Sequence, residues 1–178
     1  MLSSGNLDEI LTGYYTKYDC SSGDLNLIGS MSKIEILKTL KYLYTTYQAD
    51  IIKEIYEAKP TADLKPYSQN QSDEDEIGLN FKELDIFAEA RILRNCSVVS
   101  FYKTVESLLP ELDKKTLLEK ISIFFKRYAL NRHKVETLPT TLHLTSKSCS
   151  SKRFDLRPIV YEDKFEYELA MLSQLINQ

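Results

Sequence analysis

The sequence predicts a mostly α-helical fold with few strands. Only five glycines and five prolines occur among the 178 residues, which favours long regular elements over a loop-rich sandwich. Several segments also repeat apolar residues at intervals of three and four, the period of an amphipathic helix. With 43% hydrophobic residues, the chain has enough apolar side chains to bury the core of one compact domain.

The N-terminal residues differ from the rest of the chain and predict a loop with a short strand. Between Tyr14 and Ser30, aromatic, charged and small polar residues are mixed with glycine. Lys17, Asp19 and Asp24 bring a cation and carboxylates into this short span. This crowding is compatible with a binding site.

Two helices are predicted next. Ser32 followed by Glu35 forms a capping box, which predicts a helix from about Lys33 to Gln48. The apolar side of this helix comprises Leu37, Leu40, Leu43, Tyr44 and Tyr47. A shorter helix follows and ends at Pro60.

A long surface loop is predicted from Lys59 to Gly78. The segment contains two prolines and the acidic run from Asp73 to Glu76. Four consecutive acidic residues without the spacing of an EF-hand loop fit a solvated stretch better than a metal site.

The remaining helices follow from caps and periodicity. Asn80 with Glu83 opens one helix, a second runs from about Val98 to Leu109, and Asp113 caps a third. Apolar residues of the third helix recur at the helical period: Leu117, Leu118, Ile121, Phe124, Phe125 and Tyr128. The pattern dissolves between residues 131 and 158, which predicts a long loop, and a last amphipathic helix runs from about Phe165 to Ile176.

Charge and composition exclude several classes of function. The formal charge of -3, from 23 basic and 26 acidic residues, disfavours non-specific nucleic-acid binding. No apolar run reaches the length of about 18 residues that spans a membrane, and the first residues lack the pattern of a signal peptide. The three cysteines contain no CxxC pair and fit free thiols. We therefore expect a soluble, cytoplasmic protein with no nucleic-acid or membrane partner.

One set of residues could support nucleotide chemistry. Asp8 and Glu9 precede a possible helical turn, Lys17 and Lys33 flank a glycine-bearing loop, and Thr61 follows a proline. A carboxylate that can hold Mg²⁺, beside lysines that neutralise phosphate oxygens, is what phosphoryl or nucleotidyl transfer requires. On spacing alone, a purely structural interpretation is better: Asp8 and Glu9 would favour a helix N-terminus, the two lysines would be solvated, and Thr61 would support a turn.

A basic cluster around His133 is a second candidate. Asn131, Arg132, His133 and Lys134 could bind the phosphates of a dinucleotide, or could simply form a basic loop after a helix C-terminus. The motifs GxxxxGK[ST], HExxH and GxSxG do not occur in the sequence, so self-contained nucleophilic catalysis is not supported.

Five separated blocks together resemble the glutamine-dependent NAD(+) synthetases. The blocks are NLDEILTGYYTKYDCSSGDLNLIGSMSK (Asn6 to Lys33), PTADL (Pro60 to Leu64), QSDEDEIG (Gln71 to Gly78), NRHK (Asn131 to Lys134) and RFDLRP (Arg153 to Pro158). They follow the order and spacing of that family and extend over nearly the whole chain.

The resemblance implies a fold and a reaction. The expected fold is an α/β adenine-nucleotide hydrolase-like (Rossmann-like) synthetase domain of the N-type ATP pyrophosphatases. The expected reaction is the adenylation of deamido-NAD(+) by ATP with Mg²⁺, followed by amidation with ammonia derived from glutamine. The full-length members of the family form homo-oligomers, so a homo-oligomer is expected for a full-length enzyme of this kind.

The resemblance also implies roles for single residues. By motif, Glu9 would be a magnesium ligand, and Ser4, Lys33 and Thr61 would contact ATP. The residues expected to bind deamido-NAD(+) are Lys17, Asp24, His133 and Lys134.

Two departures from the family pattern are evident. The family's P-I-G-G becomes Leu27, Ile28, Gly29 and Ser30, and the family's phosphate-binding S-G-G-x-D-S loop and its glutaminase domain are absent from the sequence. We therefore expect residues 1–178 to be the C-terminal portion of a synthetase domain in which the reaction is incomplete. The alternative is a non-catalytic helical interaction module, or a truncated homologue that associates with a full-length enzyme.

Overall fold

The structure, a computed structural model, describes residues 1–18, 22–61, 66, 71–148 and 165–176. A small parallel sheet of order β1–β2–β3 comprises Leu2–Ser3, Leu25–Asn26 and Thr140–Thr141. Leu2 is opposite Leu25, and Leu25 is opposite Thr140. Parallel strands need crossover connections, and helices provide them here.

The helices occupy the rest of the described chain. They are α1 (Leu7–Thr12), α2 (Lys33–Tyr47), α3 (Asp50–Glu57), α4 (Asp73–Ile77), α5 (Phe81–Ala88), α6 (Val98–Leu108), α7 (Lys114–Asn131) and α8 (Glu166–Ile176). A π-helical turn, Glu89–Leu93, continues α5, and a 3₁₀-helix, Arg132–Thr137, continues α7. Within the described residues, no helix combines the length and the apolar character needed to cross a lipid bilayer.

An aromatic cluster forms the centre of the core. The rings of Phe87, Phe101, Phe124 and Phe125, from α5, α6 and α7, lie with neighbouring centroids 5.0 to 5.4 Å apart. All four side chains are fully buried. Tilted aromatic packing at these distances adds to the hydrophobic stabilisation that burial provides. This cluster fixes α7, whose C-terminal end leads into the basic 3₁₀-helix.

Helices α2 and α3 form an outer hairpin. Neither helix contains a fully buried residue. The rings of Tyr44 and Tyr56 pack across the hairpin with centroids 5.5 Å apart. Helix α2 begins at Lys33, because the capping box of Ser32 and Glu35 forms as predicted.

Two predicted loops are partly wrong. The acidic run belongs to the short helix α4, which ends at Gly78 in the left-handed conformation (φ 81°) and buries Ile77. Asp73 is buried rather than solvated. In the other segment, residues 132–137 are helical and Thr140–Thr141 pairs with β2. A two-residue strand is too short to show a periodic pattern, so Thr140–Thr141 is extended because it pairs with Leu25–Asn26. Residues 149–158, with the block Arg153 to Pro158, lie outside the described residues.

Ser30, one of the departures from the family pattern, connects the sheet to the segment after β3. It is fully buried, and its hydroxyl donates to the carbonyl of Leu142 at 3.1 Å. The same oxygen accepts the backbone N–H of Leu144 at 2.9 Å. A glycine would lack this hydroxyl, so the serine gives the chain hydrogen bonds in place of the glycine's backbone freedom.

Candidate functional site

The carboxyl ends of the strands bring one group of predicted residues together. Ser4 follows β1 directly and is exposed, and Asn6 then caps α1. Lys33 is the first residue of α2, which follows β2 along the chain. Ligands of open α/β sheets bind at this edge, where helix N-termini also favour anions.

Glu9 is held at the start of α1 by a capping box. The Asn6 backbone N–H donates to Oε2 of Glu9 at 3.1 Å, and the Asn6 side-chain amide donates to Oε1 at 2.7 Å. Burial raises the pKa of Glu9, whereas the backbone hydrogen bond from Asn6 and the charge of Lys33 oppose this rise. The predicted metal ligand is therefore a fixed carboxyl group with a cation nearby. The spacing of Asn6 and Glu9 is itself a capping signal that sequence reasoning missed.

Lys33 and Thr61 line one cleft. The cleft has a volume of about 280 Å³ and lies between the start of α2 and the end of α3. Ile36, Leu37 and Leu40 form an apolar wall, and Lys59 adds a second cation. The Nζ atom of Lys33 also lies 5.9 Å from the centre of the Phe81 ring. The structure thus brings two of the predicted ATP contacts together.

Lys17, in the loop after α1, contacts His133 of the 3₁₀-helix. Nζ of Lys17 lies 3.2 Å from Nδ1 of His133. An ammonium group can only donate, so Nδ1 of His133 is the acceptor in this contact. Residues separated by most of the chain therefore form an exposed basic pair.

Lys134 connects the 3₁₀-helix to the loop after α1. Its Nζ donates to the carbonyls of Gly13 at 2.7 Å and Tyr15 at 2.8 Å. Burial lowers the pKa of Lys134, and the charges of Arg127 and Lys17 lower it further. These contacts give Lys134 a clear role in holding the loop that carries Lys17.

Asp24 has different neighbours from the other predicted site residues. It immediately precedes β2, is exposed, and pairs with the amino group of Met1. This hydrogen bond and the positive charge lower the pKa of Asp24. Asp24 thus lies at the amino end of its strand, whereas Ser4 lies at the carboxyl end of β1.

The structure places near Glu9 one acidic residue, Asp73, that the sequence pattern assigned to a solvated stretch. Asp73 is 6% exposed, and its charge raises the pKa of Glu9. Its backbone N–H donates to the carbonyl of Pro60 at 3.4 Å, next to Thr61. The sequence signal for the helix that carries Asp73 is Gly78 after Ile77, since a glycine in this position commonly ends a helix.

A charged cluster around the buried side chain of Lys147 lies next to the first turn of α2. Lys147 pairs with Asp85, and its Nζ lies 3.2 Å from Oε1 of Glu35. Burial lowers the pKa of Lys147, but the hydrogen bonds and charges of Asp85 and Glu35 outweigh it and raise the pKa overall. Burial also raises the pKa of the nearby Asp8 to about 7.

The described residues contain no group of three or more histidine, cysteine, aspartate or glutamate side chains suited to a metal ion. Glu9 could still hold Mg²⁺, because this ion is commonly bound through one or two carboxylates plus substrate phosphates and water. A carboxylate with hydrogen bonds from Asn6 on both oxygens retains further lone pairs for such a contact.

Comparison with known proteins identifies one family. A family model described as NAD synthase matches residues 1–137. The glutamine-dependent NAD(+) synthetase of Saccharomyces cerevisiae is 36% identical over 181 residues, which cover 100% of this chain and 25% of that protein. The corresponding protein of Arabidopsis thaliana is 37% identical over 180 residues, covering 99% of this chain and 25% of that protein.

A solved structure supports the fold. The crystal structure of a glutamine-dependent NAD(+) synthetase from Cytophaga hutchinsonii matches with a TM-score of 0.73 and 22% identity, over 97% of this chain and 26% of that one. The mostly helical fold with a small parallel sheet is thus that of a Rossmann-like synthetase domain, as predicted. The chain spans about a quarter of the length of the relatives it matches. The chain belongs to the NAD synthase family.

Proposed function

We propose that this chain contributes to an ATP-dependent ligase that adenylates deamido-NAD(+) and amidates it with ammonia derived from glutamine. The observation that carries the proposal is the contact between the starts of α1 and α2: Asp8 accepts the backbone N–H of Lys33 at 2.7 Å, which brings Lys33 to the helical turn that carries Glu9. A carboxylate is a poor acceptor for ammonia until its oxygen becomes a good leaving group. Transfer of the AMP group from ATP to the carboxylate, with release of pyrophosphate, supplies that leaving group, and AMP departs when ammonia attacks the activated carbonyl.

The residues of the cleft would bind the ATP half. Lys33 would neutralise phosphate oxygens, Thr61 would donate its hydroxyl, and Ser4 would add a contact at the end of β1. Glu9 would hold Mg²⁺, which stabilises the charge that develops on the phosphates. The apolar wall of the cleft would exclude water from this contact.

The residues around the 3₁₀-helix would bind deamido-NAD(+). Lys17 and His133 form a basic pair suited to a pyrophosphate group. Lys134 would act on the dinucleotide through the loop that it holds, or directly after rearrangement of that loop. Asp24 would contact deamido-NAD(+) from the amino end of β2. Homo-oligomerisation and a cytoplasmic location stay predictions.

The metal role of Glu9 is tested by Glu9→Gln. This variant keeps the size and one carbonyl oxygen but loses the charge, so we expect the affinity for Mg-ATP to fall about 10- to 100-fold. Isothermal titration calorimetry of the chain with Mg-ATP measures the change. Glu106→Gln, at an exposed position on α6, is the matched control and should bind as the unsubstituted chain does. Equal affinities for the Glu9 variant and the control would contradict the metal role.

A further inference from the structure

The first turns of α1 and α2 cap each other. The backbone N–H of Leu7, the first residue of α1, donates to the carbonyl of Met31 at 2.9 Å. The backbone N–H of Lys33, the first residue of α2, donates to Oδ2 of Asp8 at 2.7 Å. Amide groups in the first turn of a helix have no acceptor within that helix. Each helix start therefore takes its acceptor from the other segment.

Asp8 is an unusual choice for this contact. Its side chain is fully buried, and its second oxygen, Oδ1, has no hydrogen-bond partner among the described residues. A buried carboxyl group with an unmatched oxygen costs stability. The nearby cation is Lys147, which is itself paired with Asp85 and Glu35. Packing alone would be served better by an apolar side chain at this position.

The position of Asp8 suggests a functional reason for burying its carboxyl group despite the loss of stability. Asp8 immediately precedes Glu9 on α1, and its hydrogen bond ends on the backbone of Lys33. The lysine charge acts on the Glu9 carboxyl group, so the two side chains already lie within electrostatic reach. Movement of α2 relative to α1 would separate them.

We propose that Asp8 is a positioning residue that fixes the start of α2 against α1, so that Lys33 and Glu9 face the same Mg-ATP. This inference rests on the proposed function, because it assigns Asp8 a task in that nucleotide site. Asp8 itself acts through the backbone of Lys33. Lys147 stabilises the same helix start through its ion pair with Glu35.

Three variants test this inference. Asp8→Ala removes the acceptor of the Lys33 N–H, whereas Asp8→Asn retains an oxygen that can accept it. Leu11→Ala is the control, because it removes another buried side chain of α1 and leaves the hydrogen bond between Asp8 and Lys33 intact. We expect Asp8→Ala to weaken Mg-ATP binding about tenfold or more. We expect Asp8→Asn to restore most of the affinity and Leu11→Ala to keep it, measured by calorimetry at a temperature where each variant is folded.

Hydrogen exchange of the Lys33 amide provides an independent readout. Exchange should be slow in the unsubstituted chain and in Asp8→Asn, and at least about tenfold faster in Asp8→Ala. If Asp8 had a purely structural role, Asp8→Ala would be less stable, as is expected for Leu11→Ala, but the folded Asp8→Ala protein would bind Mg-ATP with unchanged affinity. That result would overturn this inference alone. Failure of the unsubstituted chain to bind Mg-ATP would overturn the proposed function and this inference together.

Discussion

Replacing Phe124 by alanine should lower the free energy of unfolding by about 3 to 5 kcal/mol. Phe124 is fully buried on α7, and its ring contacts those of Phe87, Phe101 and Phe125, with centroids 5.3 to 5.4 Å apart. Its removal leaves a cavity that three rigid aromatic neighbours cannot fill by changing rotamer. Because folded domains are stable by only about 5 to 15 kcal/mol, this loss is a large part of the total.

Urea denaturation followed by circular dichroism measures the effect. Leu130→Ala is the matched control, since Leu130 lies on the same helix but is 65% exposed. We expect the control to change the free energy of unfolding by no more than about 0.5 kcal/mol. If both variants were equally stable, the aromatic cluster would not be the centre of the core.

Replacing Gly13 by alanine should cost about 2 to 5 kcal/mol of stability. Gly13 ends α1 in the left-handed conformation, with φ of 66°. A Cβ atom there would also overlap the side chain of Asn131, which donates from Nδ2 to the carbonyl of Thr12 at 3.1 Å. Backbone strain and steric overlap therefore act together at this position.

The Gly13→Ala effect has a close control within the same segment. At Gly5 an added Cβ would meet its nearest atoms at 3.9 Å, an ordinary contact. Gly5→Ala should therefore change the free energy of unfolding by less than about 1 kcal/mol. Thermal unfolding of the two variants measures the difference. Similar midpoints would contradict the close contact between the end of α1 and Asn131.

The helices could be predicted because their signals are local. Ser32 with Glu35 and Asn80 with Glu83 form the capping boxes that the sequence indicates. The strand Thr140–Thr141 could not be predicted, because two residues carry no pattern and pairing with β2 joins distant parts of the chain. The short helix α4 was not predicted because its acidic composition is typical of a solvated loop, although Gly78 after Ile77 marks its end.

The site could be predicted only in part. Family motifs select Glu9 and Lys33 as candidates, but the reciprocal capping of α1 and α2 depends on the contact of Asp8 with a backbone amide 25 residues away. The same holds for Lys147, whose segment contains no motif and which meets Asp85 and Glu35 only in the folded chain. Long-range pairs of this kind are set by packing, and sequence spacing does not reveal them.

We expect an ATP half-site at the carboxyl edge of the small parallel sheet and a deamido-NAD(+) half-site around the 3₁₀-helix. An NMR titration of the isotope-labelled chain tests this expectation, first with deamido-NAD(+) and then with Mg-ATP. Deamido-NAD(+) should shift the resonances of Lys17, His133 and Lys134, and Mg-ATP should then shift those of Glu9 and Lys33. Shifts confined to the distant groove between α6 and α8, which Tyr102 and Leu172 line, or no shifts at all, would contradict it.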